Sequence, residues 1–314
     1  MPRKKKTEDK SFSGWTVINR GTYMEVRERG YEVKGRYRTW LRYYRPVRRA
    51  IDLDQSRLMY VPYKQVVVGV DASYKNTGLV FMLVGRCDRQ EDREAFLGEA
   101  RISGAWLWEG VYRDGESEYP VCALLLGIMN LGTIVEKGKG KTIKDKGERI
   151  ASIVEGIIHG FTILKGAGDN ANAINIAFGF SLPILFNVES VFYRAQRSAV
   201  GSDLAMLHGG LIYAFSSETD EYGRKYDYRY TTANQARASV IGNTHAKGRA
   251  KVKEQVMEWM REQLGEFQLE IMFDKHPLKK VDLDDNNADA MVLALDGALY
   301  VVKQWVDKEK GDGE

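Results

Sequence analysis

The sequence predicts an α/β protein. Strand-length runs rich in Val, Ile and Leu alternate with segments of helical period, and 44% of the 314 residues are hydrophobic, enough to bury a sizeable core. The length suits one large domain with an extension, or two small domains.

Residues 66–70 and 79–84 are β-branched-rich runs separated by the turn "SYKNTG". That spacing predicts an antiparallel hairpin. A third strand is expected within residues 101–108 or within 121–135, and the sequence does not choose between them. "EKGKGKTIKDKG" reads as a Gly/Lys-rich mobile loop. It is not a phosphate-binding P-loop, because Gly140, Lys141 and Thr142 lack the earlier glycine at the required spacing. Ile150, Ile153, Val154, Ile157, Ile158, Phe161 and Leu164 then recur at helical spacing. "SLPILFNVE" is a short buried strand ending in Glu189. A helix follows, with Leu204, Leu207, Leu211, Ile212 and Phe215 on one face. "YDYRYTTA" is a further strand, two helices occupy about 233–241 and 249–264, and a last helix starts near Asn286. Its sequence "ADAMVLALDGALYVVKQWV" is strongly apolar.

Charge divides the chain. Residues 1–64 hold 17 Lys/Arg against 7 Asp/Glu, a net of +10, and the remainder holds 30 against 36, a net of −6. The basic part is also aromatic: "YEVKGRYRTWLRYYRPVRRAID" interleaves Arg with Tyr and Trp. Guanidinium groups pair with phosphates and rings stack on bases, so residues 1–64 read as a nucleic-acid-binding arm, with Arg42, Arg45, Arg48 and Arg49 as candidate contacts. The plainer alternative is a solvated tail or an arm packed on the acidic body. Cys87 and Cys122 have neither metal-site spacing nor a disulfide framework, which points to a reducing, cytoplasmic compartment. "MPRKKKTEDK" lacks the apolar centre of a signal peptide, and "YPVCALLLGIMNLGTIVEK" is too short and too interrupted for a membrane span.

Acids recur at element ends: Asp71 and Glu189 after strands, Asp289 in the first turn of the last helix. Singly, each reads as a cap or a solvated residue. Gathered at one sheet edge they would repel one another and need a cation. Hard oxygen ligands favour Mg²⁺ or Mn²⁺, and a pair of such ions suits phosphodiester hydrolysis.

Four blocks, in order, resemble the RuvC family of Holliday-junction resolvases in the RNase H-like superfamily: "VGVDASYKNTG", "FNVESVFYRAQRSAVGSDLAMLHGGLIYAF", "YTTANQARASVIGNTHAKGRAKVKEQV" and "NNADAMVLALDGAL". They span about 66–306. The resemblance leaves out residues 1–60 and is poor over about 86–145, which reads as an insertion in a nuclease domain of residues 65–314. It implies an RNase H-like fold with a mixed five-stranded sheet flanked by helices, and a homodimer that nicks opposed strands of a four-way junction, leaving 5′-phosphate and 3′-hydroxyl ends. It implies Asp71, Glu189 and Asp289 as catalytic metal ligands for Mg²⁺ or Mn²⁺, two ions per site. The size, the basic arm and the divergence suggest a bacteriophage or other viral version. The alternatives are a less selective RNase H-like nuclease for branched or hybrid substrates, and a branched-DNA binder that does not cleave.

Two departures bear on the site. The family's second acid, three residues before the final Asp, is here Asn286, with Asp285 one residue earlier. Both are candidate ligands. The segment "GNTHAKGRAKVKEQV" is longer than the family's, so Lys253 is the match for the family's active-site lysine, with Lys247 and Lys251 as competitors. The resemblance also implies a phosphate contact for Arg237 and a base-stacking role for Phe192. His208 reads as a core or interface histidine, and His245 as a candidate phosphate contact. Gly201, Ala205 and Gly209 form a small-residue stripe that suits close approach, either to the sheet or across a dimer axis.

Overall fold

The computed structural model describes residues 37–46, 57–74, 76–135, 142–158, 182–190, 199–217, 225–242, 249–264, 269–272 and 285–312. Among these, the strands are β1 (Tyr37–Pro46), β2 (Lys64–Asp71), β3 (Thr77–Arg86), β4 (Leu107–Asp114), β5 (Ser117–Val135), β6 (Ile184–Glu189), β7 (Asp227–Thr231) and β8 (Leu269–Met272). The helices are α1 (Gln90–Ser103), α2 (Ile143–Ile158), α3 (Ala199–Ser217), α4 (Ala233–Val240), α5 (Arg249–Leu264) and α6 (Asp285–Gly311).

These strands share one mixed sheet in the order β7-β6-β2-β3-β5-β1-β8, with β4 paired to β5. The expected five-stranded mixed sheet is therefore the core of a larger one. Its central strands are β7, β6, β2, β3 and β5: β6 lies parallel to β2 and β7, while β3 runs antiparallel to β2 and β5. Both candidate segments for the third strand contribute. Residues 121–135 belong to β5, and 101–108 straddle the end of α1 and the start of β4. Residues 86–145 hold α1, β4, β5 and the start of α2. Tyr37–Pro46, read from the sequence as part of the arm, pairs with β5 and β8 inside the sheet. Arg42 and Arg45 lie opposite Asn130 and Glu270 in that register.

Period-two alternation decides which residues face which layer. Val66, Val68 and Val70 pack with Phe96 of α1, Ile153 and Ile157 of α2 and Leu211 and Phe215 of α3. Val67, Val80 and Met82 face Val256 of α5 and the whole buried stripe of α6. The sheet is thus sandwiched between two helical layers. Helix α2 begins at Ile143, so part of the expected Gly/Lys-rich loop is helical. Phe161, Leu164, Phe192, Lys247, His245, Arg48 and Arg49 lie outside the described residues.

Glycine is required where α6 crosses the hairpin. A Cβ on Gly69 would stand 1.9 Å from the Ala290 carbonyl oxygen, and one on Gly78 would stand 2.3 Å from that of Asn286. Only a residue without a side chain lets the helix backbone lie directly on β2 and β3. The small residues Ala288, Ala290 and Ala294 complete this contact from the helix side.

Candidate active site

The strand register builds the site. In the parallel pair, Gly69 lies opposite Asn187 and Val70 opposite Val188. Asp71 and Glu189 are therefore the next residues of adjacent strands, and parity turns both toward the α6 layer. The turn between β2 and β3 is held by short polar side chains. Thr77 Oγ1 donates to the Ser73 carbonyl at 2.6 Å, the Asn76 amide donates to Ser73 Oγ at 3.1 Å, and Asn130 Nδ2 donates to Asn76 Oδ1 at 2.9 Å.

Asp71 is 9% exposed and Glu189 is half-buried. Burial, and then the neighbouring Glu189, push the Asp71 carboxyl well above its ordinary range. A side-chain hydrogen bond between the two raises the Asp71 carboxyl and lowers that of Glu189. Burial also raises the Glu189 carboxyl, partly offset by that bond. Asp289, on the first turns of α6 and 8% exposed, adds repulsion to both. Three carboxylates therefore crowd one edge of the sheet, and burial penalises the charged forms of Asp71 and Glu189.

Two cations border them. Arg237 on α4 donates from Nη2 to Asp289 Oδ1 at 2.6 Å, while its buried Nε has no hydrogen-bond partner among the described residues. Lys253 on α5 pairs with Asp285, and its charge also reaches Asp71 and Glu189. Of the candidate lysines, Lys253 borders the acids, Lys251 is exposed to solvent, and Lys247 lies outside the described residues. Asp285 is the first residue of α6, and Asn286 follows it half-buried over Gly78.

The donor set suits a hard divalent cation, because its candidates are carboxylate oxygens and the Asn286 carbonyl oxygen, and the two carboxyls in contact repel when both ionise. Among the described residues, no group of three or more His, Cys, Asp or Glu side chains stands placed to hold a metal ion. Asp289 and Asp285 are paired instead with Arg237 and Lys253.

Helix α3 carries the other residues of interest. Leu207, Leu211, Ala214 and Phe215 are buried, while Ala205 and Gly209 are exposed. Ala205 and Gly209 of the small-residue stripe therefore do not pack on the sheet. The close approach on this helix is instead at Gly210, where a Cβ would meet Ile150 at 2.9 Å. His208 is buried and 5.6 Å from the Tyr230 ring. Burial pulls its imidazole down to about 4, so it is neutral at pH 7. Its Nδ1 has no partner among the described residues.

Sequence reasoning missed Asn187, Asp296, Ser239 and Arg229, a connected polar group in which Asn187 and Asp296 are buried, Arg229 is half-buried and Ser239 is exposed. The available signal was Asn187 in the otherwise apolar run "ILFNVE", and Asp296 inside an apolar helix.

Fold and site define a class: a mixed α/β protein whose central sheet gathers acids at one edge under the start of its last helix. No protein-family model matches the chain, and no curated protein does. Among solved structures, it is similar to a chain of T. thermophilus RuvC in complex with Holliday junction substrate, at 18% identity and a TM-score of 0.35, over 75% of this chain and 94% of that one. Among the described residues no helix is long and apolar enough to cross a membrane.

Proposed function

We propose that this chain is a divalent-metal-dependent, structure-selective endonuclease of the RuvC type that nicks branched DNA at four-way junctions. One observation carries the reading: strand register and parity put Asp71 and Glu189 in contact, under the helix turn that bears Asp289. Those three carboxylates, with Asp285 or the Asn286 carbonyl beside them, would hold Mg²⁺ or Mn²⁺. Bound ions would supply an activated water and stabilise the leaving oxygen of the phosphodiester, yielding 5′-phosphate and 3′-hydroxyl ends.

The chain's own groups do the rest. Arg237 and Lys253 carry the positive charge beside the acids and would offer it to a phosphate oxygen. Neither basic residue requires a particular base, which fits recognition of DNA shape over sequence. The basic residues 1–36, with Arg48 and Arg49, would neutralise further phosphates. Two sites on opposed strands call for a homodimer. The exposed, uncharged face of α3, with Ala205, Met206, Gly209, Ile212 and Tyr213, is a surface suited to pairing.

A second reading, a branched-DNA binder that does not cleave, is favoured by one feature. Asp289 and Asp285 are both already paired with internal cations. A nicking assay with Mg²⁺ or with chelator, on a four-way junction, a flap and a linear duplex, separates the two. Metal-dependent paired nicks in the junction support the endonuclease. Tight junction binding with no nick in either Mg²⁺ or Mn²⁺ supports the binder, and equal cutting of linear duplex would remove the structure selectivity.

A further inference from the structure

Strand β6 is apolar except for Asn187, which is fully buried, and its terminal Glu189. A buried amide is costly unless every hydrogen-bonding group is met. Here all are met, by residues of two different elements. Asn187 Nδ2 donates to the Leu293 carbonyl of α6 at 2.7 Å and to Asp296 Oδ2 at 3.0 Å. Thr231 Oγ1 of β7 donates to Asn187 Oδ1 at 3.0 Å. Asp296, 5% exposed, also accepts from Ser239 Oγ of α4 at 2.6 Å. It forms an ion pair with Arg229 of β7 at 2.9 Å, and that guanidinium lies 4.4 Å over the Tyr300 ring. Gly297 leaves the space: a Cβ there would stand 2.7 Å from Val67 and 3.1 Å from the Asn187 Cβ.

Three of the elements tied by this group also carry a residue of the acidic site. Glu189 is two residues beyond Asn187 on the same strand face, about 6.6 Å along β6 at about 3.3 Å per residue. Asp289 is two helical turns before Asp296, on the same side of α6. Arg237 is two residues before Ser239 on α4. Thr231 precedes Thr232, which caps α4 with a capping box closed by Gln235. The polar layer thus ties together β6, α6 and α4, three of the elements that meet in the acidic layer. An apolar core would not specify the height of α6 against β6 so narrowly, because dispersion contacts tolerate sliding that the fully met hydrogen bonds of Asn187 do not.

We propose that Asn187 and Asp296 are positioning residues: they set the relative placement of Glu189, Asp289 and Arg237 without touching substrate. Their effect on catalysis rests on the endonuclease reading; their effect on geometry does not.

The test uses the full chain and three variants. Asp296→Asn keeps the shape but removes the charge that holds Arg229. Ser239→Ala removes one bond only, so it is the milder probe if the first variant folds poorly. Phe186→Leu is the control: Phe186 is also fully buried on β6 but points to the opposite layer, so it lowers stability without disturbing the polar group. The first readout is the side-chain resonance of Arg237 in a ¹⁵N NMR spectrum, assigned with Arg237→Lys; it needs neither metal nor DNA. It is expected to shift or broaden in Asp296→Asn and, to a lesser degree, in Ser239→Ala, and to stay unmoved in Phe186→Leu. The second readout is nicking of a four-way junction: kcat falls about 10–100-fold in Asp296→Asn, the usual range for a supporting shell, with KM unchanged. Phe186→Leu keeps the wild-type kcat at a temperature where it is folded. A resonance that moves equally in the control, or in none of the variants, overturns the proposal. So does a kcat that follows thermal stability across all three. If the wild type itself does not nick, the endonuclease reading fails and the NMR comparison still decides the positioning role.

Discussion

The two ends of α6 meet the sheet under opposite electrostatic conditions. At its start, Asp289 joins Asp71 and Glu189, and the last two carboxyls are pushed upward by burial and by neighbouring acids. Near its end, Glu309 receives two parallel bonds from Arg86 at 2.7 Å each and a hydrogen bond from the Tyr63 hydroxyl. Arg86 is only 5% exposed, sits 4.0 Å over the Tyr63 ring and also contacts Asp88 at 2.7 Å. The Arg86 and Tyr63 bonds hold the Glu309 carboxyl down to about 2. One end is a matched staple that fastens the helix to β3 and to the residue before β2. The other leaves like charges together, which costs stability and is only partly offset by Arg237 and Lys253. Unmatched charge in a buried place is therefore the physical mark that separates the candidate site from the structural ion pair.

Substitution at each end tests that contrast. The largest effect is expected at the acidic end: Asp71→Asn or Asp289→Asn should lower Mg²⁺-dependent nicking of a four-way junction by about 10³-fold, the scale of removing a charge-stabilising group. Junction binding, measured by gel shift in chelator, should change far less, by under about threefold, because phosphate contacts come from Lys and Arg. Wild-type nicking by either variant would remove that residue from the metal site.

At the opposite end, Glu309→Gln should leave nicking intact and cost about 1–2 kcal/mol of stability. That is less than a fully buried pair, because the Glu309 side chain is 41% exposed and Asp88 remains on Arg86. Denaturant unfolding reports the loss; a drop in nicking without a drop in stability would join the two ends functionally. The Glu309 carboxyl is depressed, so its contribution is present above the ordinary value of 4.5 and declines as pH falls from there toward about 2.

The sign reverses for Asp71. Its folded-state carboxyl is raised above 3.8, so the associated stability is present below 3.8 and declines as pH rises through the raised value. Asp71→Asn should therefore stabilise the metal-free protein at pH 8, raising Tm by a few degrees, about what ~1 kcal/mol produces in a chain of this size. The gain should shrink toward pH 4. Thermal melts in chelator at the two pH values decide this, and a variant less stable than wild type at pH 8 would contradict the crowding of charge. Adding Mg²⁺ should stabilise wild type and not the variant.

The smallest effect concerns the arm. Because Tyr37–Pro46 is a strand of the sheet, a clean deletion stops at residue 36. Removing 1–36 should flatten the plot of log K against log[salt] by roughly 0.9 for each duplex phosphate that the arm no longer neutralises. An unchanged slope would assign those residues to another task.

Much of this was legible along the chain because it depends on local pattern. Alternation in "VVVGVD" and "ILFNVE", helical period in 150–158 and 285–306, and an acid at the end of each central element required no tertiary knowledge. The size of the sheet was not legible. Strand β1 sits in a basic, aromatic stretch whose pairing with β5 depends on residues about ninety positions away. Both competing segments for the third strand contribute to strands, since nothing local forbids a hairpin of β4 and β5.

The sequence by itself determined that acids would end strands and open a helix, that glycines would lie beside the first of them, and that the chain would carry a separate basic segment. These follow from residue type and short-range spacing. Only the tertiary structure decided that Asp71 and Glu189 touch, because contact depends on the register between two strands far apart in sequence. It alone assigned Lys253, and not Lys251, to the border of the site, through the docking of α5 beside α6. It alone showed why Gly69 and Gly78 lack side chains: the backbone of α6 occupies that space. And it alone joined Asn187 to Asp296, since a buried hydrogen bond between residues 109 positions apart leaves no periodic trace in the chain.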